Sequence, residues 1–391
     1  MKTLVKTKSL LDGTGAMPIP QGWMLLENGK IQAVGKPGEL AGVEGVGETL
    51  DLSDKYVLPG FVDSHIHLGL SHTDMIDPMP VTKQMGQSAQ RKICKAVMYL
   101  REHLDAGVTL VRDMGEEHFI DFELRRAIQD GYLDGPRMVC SGNLITASHG
   151  QGQIGLSVAD GPEEIRKACR VNLAKGADFI KIFVGGGVVS SEASLDNHTY
   201  NLQEIRTAVE EAQMMGKYVA AHIHAGKGLD LCIQAGVQSI EHACLATDAQ
   251  IEAIAKAGCW VTGTFSPAMH PLGVRLISQE KRARLEQVQQ KIFDVYRKLM
   301  EAGVKMSFGT DGVHGAISFE AINAEKCGAS KMKAIQYITL EGARACRMDA
   351  VCGSLEPGKY ADFVALDKDP LEDLEHLKAV SAVYIGGIQK K

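Results

Sequence analysis

The chain has 391 residues, of which 45% are hydrophobic and 23% charged, an ordinary globular composition that excludes a disordered or fibrous protein. At roughly 150 residues per domain this length suggests two to three domains, although barrels exceed that size as single units. Lys+Arg 42 against Asp+Glu 48 leaves a formal net charge of −6; that mild acidity argues against nucleic acid or an anionic membrane as a partner, which leaves a small-molecule substrate open.

The opening residues MKTLVKTKSLLDGTG carry lysines but no apolar core of the length a secretory leader needs. No uninterrupted apolar run approaches the ~18 residues of a membrane span. Nine scattered cysteines without a CxxC pair read as small buried hydrophobes in a reducing compartment, not as disulfides or a sulfur-ligated zinc site. The expected location is the cytoplasm.

Residues 1–56 alternate between short strands and Gly-rich turns (TLVKTKSLLDG, GWMLLENGKIQAVG, ETLDLSDKYVLPG), which predicts a small antiparallel sheet. Residues 346–391 have the same character in YADFVALD and AVSAVYIGGIQKK, so the two ends are expected to form one β-sandwich domain. Between them, residues 57–345 hold eight short apolar runs separated by helix-like stretches such as PEEIRKACRVNLAKG and NLQEIRTAVEEAQMMG. Several stretches end in AKG, KAG or EAG, a helix C-cap signal, before the next strand begins. Eightfold strand–helix alternation predicts an α/β fold, a (β/α)8 TIM barrel of about 290 residues. A doubly wound open sheet fits less well, because no GxGxxG follows the first strand.

That first strand ends in DSHIH. His65 and His67, at i and i+2 of a strand, point the same way and can converge on one metal. Thirteen histidines in 391 residues give about 0.4 such HxH pairs by chance, and the chain has two, the second being His222 and His224 on the fifth strand. Lys181 in DFIKIF lies in an apolar strand, where burial favours the neutral amine. It either forms a structural ion pair or reacts with carbon dioxide to a carbamate that can bridge two metals. His242 closes the sixth strand and Asp311 the eighth. All six residues, His65, His67, Lys181, His222, His242 and Asp311, fall at carboxyl-terminal strand ends, the face where barrel active sites assemble.

As an ordered set over nearly the whole chain, VLPGFVDSHIHL, FIKIFVGGG, VAAHIHA, GVQSIEHA, GTDG and GSLEPGKYADFVALDKDPLED resemble the amidohydrolase superfamily, in particular its imidazolonepropionase-like branch with the metal-dependent Xaa-Pro dipeptidases. The resemblance implies a binuclear centre, usually zinc, held by those six residues with Lys181 carbamylated, and it favours His222 over His224 as the ligand. It also implies hydrolysis of an amide bond, in a dipeptide (Xaa-Pro included) or an N-acyl amino acid, by a water bridging the two metals. Asp311 would then take the proton of that water and pass it to the leaving nitrogen.

His149, His224, Tyr200 and His314, in loops after strands 3, 5, 4 and 8, are candidates for substrate contacts, each with an alternative as a loop-stabilising residue. The triglycine Gly185–Gly187 could let backbone approach the site, and it lacks the GK[ST] of a phosphate loop. Specificity is expected in loops 142–160, 184–200 and 263–278, with Arg275 a possible carboxylate holder. Three alternatives stand beside amide hydrolysis. A cyclic-amide hydrolase is one. A deaminase is disfavoured, because Ala225 occupies the position three after His222 where that branch carries Glu. A metal-free, non-enzymatic scaffold is disfavoured by the intact ligand set. Association into a homo-oligomer is possible.

Overall fold

The computed structural model describes residues 2–42, 44–72, 81–150, 157–186, 197–275 and 279–391. Five strands open the chain: β1 (Lys2–Leu10), β2 (Ile19–Pro20), β3 (Trp23–Glu27), β4 (Lys30–Gly35) and β5 (Val46–Pro59). The middle carries β6 (Phe61–Ile66), β7 (Val108–Asp113), β8 (Arg137–Cys140), β9 (Ile145–Thr146), β10 (Ser157–Val158), β11 (Ile180–Phe183), β12 (Val219–Ile223), β13 (Ser239–His242), β14 (Trp260–Gly263) and β15 (Lys305–Phe308). Then β16 (Phe363–Leu366), β17 (Val380–Ile385) and β18 (Ile388–Gln389) close it.

The strands of the two chain ends form one sheet in the order β18-β17-β16-β5-β1-β3-β4, with β2 against β1. Val5, Met24, Ile31, Val57, Phe363 and Tyr384 contribute to a hydrophobic core of its own. One pairing departs from the antiparallel sheet that the alternation predicts: β1 and β5 run parallel. The β3–β4 hairpin sits on one side of β1, and the chain crosses over through the 3-10 turn Pro37–Gly42 to lay β5 on the other side. Parallel neighbours require such a crossover.

The eight predicted runs of the middle segment are β6, β7, β8, β11, β12, β13, β14 and β15, a mixed α/β TIM barrel with parallel neighbours. Helices lie between them where the 3.6-residue pattern predicts, and their ends obey local chemistry. Ser88 accepts from the Arg91 N–H to cap Ala89–Asp105, Asn201 and Glu204 form a capping box on Leu202–Met214, and Gly258 ends Asp248–Ala257 in the left-handed region.

The barrel ladder is interrupted at two seams, between β8 and β11 and between β15 and β6. At the first, the Asp178 N–H donates to the Cys140 carbonyl (2.8 Å). At the second, the Asp311 N–H donates to the His65 carbonyl (2.8 Å), and Asp63 accepts from the Thr310 N–H (3.0 Å) and hydroxyl (2.7 Å). Gly309 permits this approach, because a Cβ there would lie 2.4 Å from the His65 nitrogen. At the other end of this seam the Val62 N–H donates to the Ile338 carbonyl (2.7 Å), just before the short helix Leu340–Ala345. No helix among the described residues is long and apolar enough to cross a membrane.

Candidate metal centre

Five of the six expected ligands stand at or just past the carboxyl-terminal ends of barrel strands, and Lys181 is the second of the four residues of its strand. His65 lies in β6 and His67 one residue past it, Lys181 in β11, His222 in β12, His242 at the last position of β13, and Asp311 three residues after β15. The four histidines and Lys181 are buried, Lys181 completely; the Asp311 side chain keeps 21% of its surface exposed. Asp311 Oδ1 lies 3.5 Å from His65 Nε2 and 3.7 Å from His67 Nε2. His242 Nε2 meets His222 Nδ1 at 2.9 Å. Two groups of ligating atoms, each within 4.8 Å of one another, share His242: His65, His242 and Asp311 form one, and His222, His224 and His242 the other. Either group could hold a metal ion.

Two of these residues have strained backbones. His242 has φ +72° and Asp311 φ +47°, left-handed conformations that a non-glycine side chain resists and that concentrate at functional sites. For Asp311, the hydrogen bonds at the β15–β6 seam hold that turn in place and aim its carboxylate at the two HxH imidazoles.

Four of the five imidazoles, those of His65, His67, His224 and His242, are oriented by a partner behind them. The Gly115 carbonyl can only accept, so His67 Nδ1 donates to it (3.1 Å) and its Nε2 keeps a lone pair. Glu241 does the same for His65, with Oε2 2.8 Å from Nδ1. His242 Nδ1 meets the Thr264 hydroxyl at 2.8 Å, and His224 Nδ1 meets the Cys244 sulfur at 3.1 Å. Fixing one ring nitrogen this way decides which nitrogen is offered to a metal.

Glu241 is itself held by Arg112, which is fully buried in the barrel interior. Arg112 Nη2 reaches both Glu241 oxygens (3.2 and 3.1 Å) and the Thr262 hydroxyl (2.8 Å). Its Nη1 reaches the Tyr218 hydroxyl (3.3 Å) and Ser239 Oγ (3.2 Å), and its Nε donates to the Ser64 carbonyl (2.7 Å). The strand register lines this network up: His222 faces Glu241, Glu241 faces Thr262, and Thr262 faces Ser307. Burial opposes the charge on Glu241, yet Arg112 and the His65 hydrogen bond outweigh it and hold the carboxyl down to about 2.

Burial dominates the other shifts. It lowers His65 to about 4, helped by the charge of Lys181, so the ring is neutral. It lowers Lys181 to about 8 against the pull of Glu241 and Asp311, and raises Asp311 to about 7 despite Lys181. Neutral imidazoles and an amine eased toward neutrality are the protonation states that ligation requires.

Three buried atoms in this cluster have no hydrogen-bond partner among the described residues: His65 Nε2, His222 Nε2 and Lys181 Nζ. An unpaired buried polar atom costs about 1–3 kcal/mol, and here three come from the six-residue set. Divalent ions fit that donor set: imidazole nitrogens and a carboxylate oxygen are ordinary ligands for them.

The candidate substrate contacts divide. His224 belongs to the cluster, and its ring stacks on His242 at a 4.8 Å centroid distance. His149 is exposed on a turn after β9. Tyr200 is buried, with its hydroxyl donating to the Ala159 carbonyl (3.0 Å). His314 stacks on Tyr99 (4.1 Å) and meets His103 Nε2 (3.1 Å) and the Leu70 carbonyl (3.0 Å), so both of its ring nitrogens are engaged within the fold. Of the expected specificity loops, residues 151–156, 187–196 and 276–278 lie outside the described residues, as does Gly187 of the triglycine.

Arg112 and Glu241 are the two charged members of this network that stand outside the set expected from the sequence. The signal for them existed, since each is a charged residue inside a short apolar strand, the same feature that singles out Lys181.

Residues 56–389 match the amidohydrolase family. Ochratoxinase of Aspergillus niger is 27% identical over 388 residues, an alignment covering 88% of this chain and 79% of that protein. Imidazolonepropionase of Fusobacterium nucleatum subsp. nucleatum is 26% identical over 382 residues, covering 88% and 85%. A crystal structure of a Xaa-Pro dipeptidase with methionine bound in its active site superposes with a TM-score of 0.89 at 29% identity, over 100% of both chains. The chain belongs to the amidohydrolase family and is a hydrolase.

Proposed function

We propose that this enzyme hydrolyses the amide bond of a small substrate, a dipeptide (Xaa-Pro included) or an N-acyl amino acid, at a binuclear divalent-metal centre. His65, His67, Lys181, His222, His242 and Asp311 would hold the ions, zinc being the first candidate, with Lys181 as its carbamate and His222 preferred to His224. The observation that carries this reading is the convergence of buried ligand atoms that have no hydrogen-bond partner among the described residues, His65 Nε2, His222 Nε2 and Lys181 Nζ. Divalent ions bound there supply Lewis-acid polarisation of the substrate carbonyl and a water acidified toward neutral pH.

The chain's own groups do the rest. Glu241 and the Gly115 carbonyl keep the Nε2 lone pairs of His65 and His67 turned toward the site. Asp311, close to both rings and partly open to solvent, accepts the proton of the attacking water and delivers it to the leaving nitrogen. Lys181 enters as a neutral amine: its nitrogen bonds to the carbon of carbon dioxide, a proton leaves, and the product is an anionic oxygen ligand.

The name of the Xaa-Pro dipeptidase neighbour supports a dipeptide substrate, and ochratoxinase is the relative named for another substrate. The imidazolonepropionase relative keeps a cyclic amide as the second reading. A panel of Xaa-Pro and other dipeptides, N-acyl amino acids and cyclic amides, assayed with zinc-loaded protein, separates them. Turnover of linear amides supports the proposal; turnover of cyclic amides alone replaces it with the second reading, and no turnover of any overturns it.

A further inference from the structure

The opposite end of the barrel contains a cavity of about 380 Å³ that the reaction does not use. It opens at the amino-terminal strand ends: Tyr218 precedes β12, Ser239 begins β13, Trp260 begins β14 and Lys305 begins β15, with Arg344 and Arg347 from the segment that closes the barrel bottom. Bottom faces of such barrels ordinarily serve stability. This one gathers three cationic side chains, and no acidic residue lines it among the described residues.

The cations are only partly compensated. Arg344 pairs with Glu341 (3.3 Å), but Lys333 takes the same carboxylate at 2.5 Å. Lys305 reaches the Gly258 carbonyl at 3.4 Å. Arg347 donates to the Gly216 carbonyl (3.2 Å) and lies 4.5 Å from the Tyr218 ring centre, with no carboxylate partner among the described residues. Its backbone stands at φ +57°, a strained conformation for a long side chain and one that recurs at ligand clamps. The cavity wall is preformed, because Arg112 holds both the Tyr218 hydroxyl and Ser239 Oγ, so little ordering remains to oppose binding.

We propose that this cavity binds a small organic anion, a carboxylate or phosphate monoester carried on a flat ring. Guanidinium groups match the oxygens of such headgroups, and the half-buried Trp260 in the cavity lining supplies an aromatic surface for the ring. The volume suits a small ligand. The site is distinct from the metal centre, which lies at the other ends of the same strands.

Isothermal titration calorimetry of the full chain tests this with benzoate, phenyl phosphate, inorganic phosphate and benzyl alcohol. Benzoate or phenyl phosphate is expected to bind saturably at one site per chain, the tighter of the two identifying the headgroup, with inorganic phosphate weaker and benzyl alcohol silent. Arg347→Gly suits the local backbone, and Arg344→Gln alters an exposed side chain; each should weaken binding about tenfold or more while leaving amide hydrolysis unchanged. Absence of saturable binding by both anions at millimolar concentration, or affinity unchanged in both variants, overturns the proposal.

Discussion

Glu241 decides which nitrogen of His65 is offered to the metal site, and Arg112 decides that Glu241 stays ionised. Glu241→Gln keeps the size of the side chain but removes the charge facing the guanidinium and can turn an amide N–H toward His65. Zinc affinity, measured by competition with a chromophoric chelator, should fall roughly 10–100-fold; an unchanged affinity would remove Glu241 from the site. Asp311 has a different task. Asp311→Asn should retain most of the bound metal by elemental analysis while kcat drops by about 10²–10⁴, and near-normal turnover would end its role in proton transfer. If Lys181 carries the proposed bridging carbamate, Lys181→Ala should lose activity and one ion, both restored in part by short carboxylic acids that take its place. Two ions and full activity without such acids would show that Lys181 bridges nothing.

At the scale of elements, the site depends on two strands meeting without a regular ladder. Gly309 lets the end of β15 approach β6, and Asp63 fastens the following Thr310 so that Asp311 faces His65 and His67. Gly309→Ala should therefore cost about 1–3 kcal/mol by overpacking, seen as a lower midpoint in urea unfolding, and should displace Asp311 enough to reduce kcat. Stability and kcat both at wild-type values would mean that the seam has slack. The six candidate ligands stand out in the sequence because each lies in or just after a short apolar run, and the strand period turns that position into a direction. Arg112 and Glu241 carry the same signal as Lys181, a charged residue inside a short strand, but nothing in their spacing names the partner of either. The partner lies 129 residues away and is brought near only by closure of the barrel. Likewise, the alternation of β1 and β5 marks them as strands but does not encode that they run parallel.

Over the whole molecule, the chain ends and the barrel are tied by specific bonds. Arg137 of β8 pairs with Asp362 beside β16 (2.6 Å), the Gly60 N–H donates to the Asp362 carbonyl (3.0 Å), and Lys390 near the carboxyl end reaches Asp134 (2.5 Å). The strands between Phe61 and Phe308 thus leave one structured end for the terminal sheet, and the candidate metal ligands gather toward the other. The central claim is that amide hydrolysis depends on ions held by the six strand-end residues. The direct measurement is the rate of amide hydrolysis by chelator-stripped protein as zinc is added in known equivalents per chain. The expected result is no activity in the stripped protein and a rise to a plateau at two equivalents. Hydrolysis that persists without metal, or none at any zinc ratio across the linear amide panel, would contradict it.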